Sequence, residues 1–179
     1  KIDKVIETGK ETRFLYDNEN RIEEFKELYY DSSFHIKNIY NFDGDIAKQM
    51  ITLNNLSHTI ENSYNDDGDL LESNYDELNV KYLYDKLKRI KIKTIGNEFQ
   101  VEYKYVSIGN RTSSLIESLT WNANKYSYKY DKLSNITDIY LNNNKLNHYD
   151  YDEYNELIVD EDYVNNIKTE YNYDNDGNI

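Results

Sequence analysis

Neither cysteine nor proline occurs among the 179 residues, and glycine occurs only six times. Without cysteine there are no disulfides and no thiolate metal ligands, and the redox compartment leaves no trace in the sequence. No apolar run reaches the 18 residues of a membrane-crossing helix, so this segment has no helical span. The opening "KIDKVIETGK" does not have the layout of a signal peptide. Basic residues are also in deficit, 21 Lys and Arg against 34 Asp and Glu, for a formal charge of −13. That charge repels phosphate backbones and no basic stripe offsets it, which argues against nucleic acid as a partner. The sequence lacks a glycine-rich phosphate loop, a paired-carboxylate motif and a nucleophile elbow. No catalytic residue and no cofactor site is therefore assigned.

Tyrosine is what the chain has in excess: 20 residues, against 5 Phe, 1 Trp and 1 Met. Tyr suits a pleated, half-buried surface on which its hydroxyl stays wet, so the excess predicts β-structure. With so little Gly and no Pro, the turns fall to Asn and Asp. A pattern of Tyr, Asp or Asn, four residues of any kind, then Ile or Leu occurs eight times, from "YDNENRI" at 16–22 to "YDNDGNI" at 173–179. Composition alone predicts about one. One match, "YDSSFHI" at Tyr30, is off register, and a degenerate copy sits at "YVSIGNR" from Tyr105. The anchors in register are Tyr16, Tyr40, Tyr64, Tyr84, Tyr105, Tyr130, Tyr151 and Tyr173, spaced about 22 residues apart. Such a period marks a stacked repeat architecture.

The letters within each unit have physical reasons. After the anchor come Asp17, Asn41, Asn65, Asp85, Asp131, Asp152 and Asp174. Four residues after it stand Asn20, Gly44, Gly68, Lys88, Gly109, Ser134, Asn155 and Gly177. This is the signature of a type I turn closed by a left-handed residue in a G1 bulge, with Lys88 and Ser134 carrying some strain. The turn sets the anchor opposite the sixth residue after it. The resulting pairs are Tyr16/Ile22, Tyr40/Ile46, Tyr64/Leu70, Tyr84/Ile90, Tyr130/Ile136, Tyr151/Leu157 and Tyr173/Ile179, with Arg111 opposite Tyr105. Polar pairs such as Asp17/Arg21 and Asp85/Arg89 are expected on the opposite, wet face. Tyr82, Tyr103, Tyr128, Tyr149, Tyr171 and Phe14 extend the aromatic face two residues before their anchors.

A second turn closes each unit, with candidates at Thr8–Lys10, Gly96-Asn97, Asn122–Lys125 and Asn142–Lys145. Residues 23–63 follow the rule least, and a short helix near "RIEEFKELYY" stays open. The expected fold is all-β: tandem antiparallel hairpins of about 22 residues forming one continuous, curving sheet over residues 1–179, as a single array. The abrupt start and finish predict a piece of a longer chain.

The string Tyr-x-Tyr-Asp-x-x-Gly-Asn-Ile at this period resembles the YD repeat, also called the RHS repeat. "YNYDNDGNI" (171–179) matches throughout, and "YKYDKLSNI" (128–136) departs only at Ser134. The resemblance implies a hairpin strip that spirals into a hollow shell, as in bacterial toxin subunits, wall-associated proteins and teneurins. It implies a structural role, with neighbouring repeats and an enclosed C-terminal toxin domain as partners, in a secreted or surface-displayed bacterial protein. The family's autoproteolytic motif needs a proline, so that activity transfers to no residue here.

Other readings are weighed beside it. Trp121 and Tyr126 are candidate stacking residues for glycans in an adhesin-like module. "NYDNDGNI" (172–179) and "SYNDDGDLLESN" (63–74) echo an acidic calcium loop, but their letters are already those of the repeat turn. His35, His58 and His148 have no metal or triad spacing. The basic run "KLKRIKIK" (86–93) reads as a solvated strand edge.

Overall fold

The computed structural model describes residues 2–174 and 176–178; Ile179 lies outside them. These residues form sixteen strands whose order in the sheet is their order in the chain, and no helix occurs among them. The chain divides into two compact units, Lys1–Leu83 with Thr94–Glu98, and Tyr84–Lys93 with Phe99–Ile179.

The first eight strands are β1 (Lys4–Glu7), β2 (Lys10–Tyr16), β3 (Ile22–Tyr29), β4 (Ser33–Tyr40), β5 (Ile46–Leu53), β6 (Leu56–Tyr64), β7 (Leu70–Tyr75) and β8 (Leu78–Tyr84). In the first unit, side chains facing one way form rows across antiparallel neighbours. One row runs Phe14, Phe25, Ile36, Ile51. The rings of Phe14 and Phe25 are 5.4 Å apart, and those of Phe25 and Phe34 are 6.2 Å apart and edge-on. On the other face Glu24 is bonded to Lys37, 3.2 Å away, and paired with Lys26, and Lys48 pairs with Glu61. The Lys26 ammonium, foremost, pulls the Glu24 carboxyl down to about 2.

The remaining strands are β9 (Ile90–Ile95), β10 (Phe99–Ile108), β11 (Arg111–Trp121), β12 (Asn124–Tyr130), β13 (Ile136–Leu141), β14 (Asn144–Tyr151), β15 (Leu157–Asp162) and β16 (Ile167–Glu170). In the second unit the apolar row is Tyr103, Leu119, Tyr126, Leu141. The opposite face carries Lys129, Asp138, His148, Glu161 and Lys168 as successive cross-strand partners. The signs alternate along this row when His148 is protonated, so like charges are never adjacent.

Among the described residues no hydrophobic side chain is buried; only Ser118 and Asp138 are. The aromatic face is therefore half-buried, because each unit is a single layer with no second layer against it.

The helix left open near "RIEEFKELYY" is decided, Tyr30 stands outside the register as expected, and the edge reading of the basic run is corrected. Residues 22–29 are strand β3, not helix: Glu, Lys and Leu favour helix in isolation, but pairing on both sides overrides that preference. Tyr30 is fully exposed in the turn between β3 and β4 and anchors nothing. "KLKRIKIK" is no sheet edge: Lys86 and Lys88 lie on a turn, and Lys91 and Lys93 on the internal strand β9.

Candidate functional site

The repeated turn and a tyrosine bond that ties a hairpin to the one before it form the candidate site. In the turn at 131–135, the Asp131 amide donates to the Asn135 carbonyl at 3.0 Å and Ser134 N–H to the Asp131 carbonyl at 3.3 Å. Asp131 Oδ1 accepts from the amides of Leu133 at 2.8 Å and Asn135 at 2.9 Å. Asp17, Asn65, Asp85, Asp152 and Asp174 clamp their own turns in the same way. Only an acceptor oxygen is needed, so Asp and Asn serve equally. The fourth residue after each anchor is left-handed, at φ of 61° for Lys88 and 75° for Ser134 as well as 80° for Gly68.

The side chain two amides further on is chosen to match. Where the clamp is Asp, the fifth residue is a donor: Arg21 Nε reaches Asp17 at 2.7 Å, Arg89 Nε reaches Asp85 at 2.8 Å, and Asn135 reaches Asp131 at 2.9 Å. Where the clamp is Asn, the fifth residue is an acceptor, as Asp69 is for Asn65 at 3.0 Å. Asp152 and Glu156 break the rule by placing two carboxylates together. Burial, with Asp152 adding to it, pushes the Glu156 carboxyl above its usual range. The Arg89 guanidinium holds Asp85 below its range, and the Asn135 amide does so for Asp131. At Asp17 burial opposes ionisation, but the Arg21 and Glu19 amides and the Arg21 side chain outweigh it.

These polar pairs are not on a wet face, which corrects the expectation for Asp17/Arg21 and Asp85/Arg89. The Arg21 guanidinium lies over the Tyr40 ring at 4.3 Å, and that of Arg89 over Tyr105 at 4.0 Å. The fifth residue also reaches the next turn: Asn135 donates to the Asn155 side chain, and Glu156 lies against Gly177. The bulge swings this side chain towards the following repeat.

Sequence reasoning missed the anchor's hydroxyl. Tyr40 O–H donates to the Ile22 carbonyl at 2.8 Å, Tyr64 to Ile46 at 3.0 Å, Tyr105 to Ile90 at 2.8 Å and Tyr130 to Ile116 at 2.8 Å. Tyr151 donates to Ile136 at 3.1 Å and Tyr173 to Leu157 at 2.8 Å. Ile22, Ile46, Ile116, Ile136 and Leu157 are each the residue paired with the preceding anchor. Where Asn38 and Asn62 stand two residues before an anchor, their amides donate to the same carbonyls of Ile22 and Ile46. The available signal was that all eight anchors are Tyr, whereas the position two before tolerates Phe14. Desolvation raises the phenol pKa of Tyr64, Tyr105, Tyr130 and Tyr151.

The anchors pair as Tyr16/Ile22, Tyr40/Ile46, Tyr64/Leu70, Tyr130/Ile136 and Tyr151/Leu157. Tyr105 differs. Its partner is Ile116, while Arg111 pairs with Ile108 across a two-residue turn, Gly109-Asn110. The degenerate copy is thus an ordinary anchor with a longer hairpin inserted ahead of its aliphatic partner.

The other sequence candidates are dispersed. Trp121 and Tyr126 share a face, but Trp121 packs on Phe99 with ring centres 5.0 Å apart. His58 binds Asp76 at 2.5 Å, His148 binds Asp138 at 3.0 Å, and His35 lies 3.3 Å from Glu24. The calcium-like letters are spent on turns, Asp174 and Asn65 each clamping two amides. Among the described residues no group of three His, Asp or Glu is placed to hold a metal.

No family model matches the chain, and neither does any curated protein. Among solved structures it is similar to the crystal structure of TcdB2-TccC3-Cdc42, at 12% identity and a TM-score of 0.42, covering 86% of this chain and 12% of that one. It is also similar to TcdB2-TccC3-TEV, at 12% identity and a TM-score of 0.44, covering 93% of this chain and 14% of that one. The chain spans 12–14% of the length of the solved chains it matches. In motif, period and hairpin order, the chain resembles the YD-repeat family.

Proposed function

We propose that this chain is a non-enzymatic wall segment of a YD-repeat shell, a single array that encloses or presents a toxin domain of a secreted or surface-displayed bacterial protein. The observation that carries the reading is the tyrosine bond by which Tyr40, Tyr64, Tyr105, Tyr130, Tyr151 and Tyr173 hold the preceding hairpin, together with the turn that aims its fifth residue at the next repeat. Both devices act along the array and neither builds a pocket for chemistry. Their effect is to extend a sheet by identical steps, as a wall requires. Neighbouring repeats are the first partners, and the toxin domain is the second. The half-buried aromatic face supports the same reading, because a single layer leaves a broad surface for contents or for an adjoining turn of wall.

The test is limited proteolysis of the intact parent polypeptide with mapping of the surviving fragments. The proposal predicts that a segment following the repeats survives only while the repeats are intact. Free digestion of that segment, or its absence, overturns the proposal and makes glycan binding through Trp121 and Tyr126 the next assay.

A further inference from the structure

We propose that three adjacent turns of the second unit form a docking surface for an anionic lipid bilayer. The turns at 85–89, 108–111 and 131–135 join β8 to β9, β10 to β11 and β12 to β13, so all three lie at the same end of their strands. Each carries an aliphatic side chain at or beside its tip: Leu87 is 59% exposed, Ile108 74% and Leu133 67%. Consecutive hairpins are two strand spacings apart, roughly 10 Å, so the three project as separate teeth. The middle one stands furthest out. Strand β10 continues three residues past Tyr105, which advances its tip by roughly 10 Å.

The charge around these teeth is opposite to that of the chain. Lys86, Lys88, Arg111 and Lys132 flank them and are exposed, in a protein of net charge −13. The acids of the same turns face inward: Asp85 is held by Arg89 and two amides, and Asp131 by Asn135 and two amides. The positive patch also has a boundary. The next turn, 152–156, carries exposed Tyr154 beside Glu153 and Glu156, and its sign is reversed. The anchor turns of the first unit have Asn18-Glu19, Phe42-Asp43 and Asp66-Asp67 at their tips. The Asn18-Glu19 and Asp66-Asp67 tips show that polar and acidic residues satisfy the turn, and the exposed Phe42 stands beside Asp43 rather than a lysine, so aliphatic tips flanked by cations are not required for folding.

This arrangement fits a lipid surface better than a folded partner. A folded partner needs a continuous buried patch, whereas separate apolar teeth enter a deformable headgroup layer independently while the cations beside them meet anionic headgroups. Behind Ile108, Val106 and Leu115 line a groove of 410 Å³ with Tyr130, Asp131, Lys132 and Ser134, a volume large enough for part of an acyl chain.

Co-sedimentation of the chain with vesicles tests this, using phosphatidylcholine alone and phosphatidylcholine mixed with phosphatidylserine. The expected result is binding to the phosphatidylserine vesicles that weakens with added salt. It is lost in the triple variant Leu87→Ser, Ile108→Ser, Leu133→Ser and in the double variant Lys86→Glu, Lys132→Glu. It is retained in a control, Leu53→Ser with Leu56→Ser, which removes exposed leucines elsewhere. Circular dichroism confirms that each variant is folded. No binding by the parent chain, or binding unchanged in folded triple and double variants, overturns the proposal. Loss in the charge variant alone also overturns it, because the teeth would then play no part. Dimers that the triple variant abolishes, without vesicle binding, would assign the surface to a second copy and overturn it as well.

Discussion

The hairpins anchored at Tyr130 and Tyr105 solve one problem with different turns. At Tyr130 the chain reverses at once through the clamped turn 131–135 and returns with Ile136 opposite the anchor. At Tyr105 no Asp or Asn follows, the strands run on to Gly109-Asn110, and Ile116 takes the opposite position. Yet Tyr105 bonds back to Ile90 as Tyr130 bonds back to Ile116, and Ile116 serves as acceptor for the next anchor as Ile136 does. The turn is replaceable. The anchor hydroxyl, its aliphatic partner and that partner's carbonyl are not.

The largest expected effect breaks this comparison at the aliphatic partner. Ile116→Asp and Ile136→Asp each put a carboxylate opposite an anchor ring on a half-buried face, costing about 2 kcal/mol. Arg111→Asp, at the position that sequence spacing alone would choose, should change stability by less than about 0.5 kcal/mol. Urea unfolding of the three variants checks this, and a large loss at Arg111 with none at Ile116 would reverse the assignment. Next in size is Asp131→Ala, which frees two amides and should cost about 1 kcal/mol by the same measurement. Val106→Ala, at the equivalent position of the extended hairpin, removes no clamp and should cost less.

Acid titration sharpens the comparison between a matched clamp and the mismatched one. Asp85 and Asp131 have folded pKa values below their unfolded ones. Their contribution is thus full above the unfolded carboxylate value, about 3.9, and is lost as pH falls through the folded value. Glu156 runs the other way: its folded pKa is raised, so stability declines as pH rises from its unfolded value through its folded one. Glu156→Gln should therefore be more stable than the parent at neutral pH, with the advantage shrinking towards acid. Equal stability of the two at every pH would remove the carboxylate conflict. The smallest effect is Ser134→Gly, expected to stabilise by about 0.5 kcal/mol because the position is left-handed.

Much of the fold was legible because the repeat turn is local chemistry. The Tyr-Asp-x-x-Gly letters determine a bulged turn and its register within seven residues, and even Lys88 and Ser134 obey the required φ. Residues 23–63 were harder to read: β3 is built from helix-favouring Glu, Lys and Leu, and only its neighbours make it a strand. The extended hairpin was misread for a related reason, since the partner of Tyr105 is set by cross-strand pairing rather than by distance along the chain. The tyrosine bonds were hidden because they join residues 14–18 apart, as Tyr130 and Ile116 are. The seam position of Asp17/Arg21 was hidden because a bulge redirects side chains that simple alternation places on the far face.

The central claim is that the anchor hydroxyl couples successive repeats. Equilibrium unfolding of Tyr130→Phe beside Tyr128→Phe tests it most directly. Both changes remove one oxygen from the same strand face, but only Tyr130 donates to a carbonyl of the preceding hairpin. The account predicts a loss of about 1 kcal/mol for Tyr130→Phe and little change for Tyr128→Phe. Equal losses, or none at Tyr130, would contradict it.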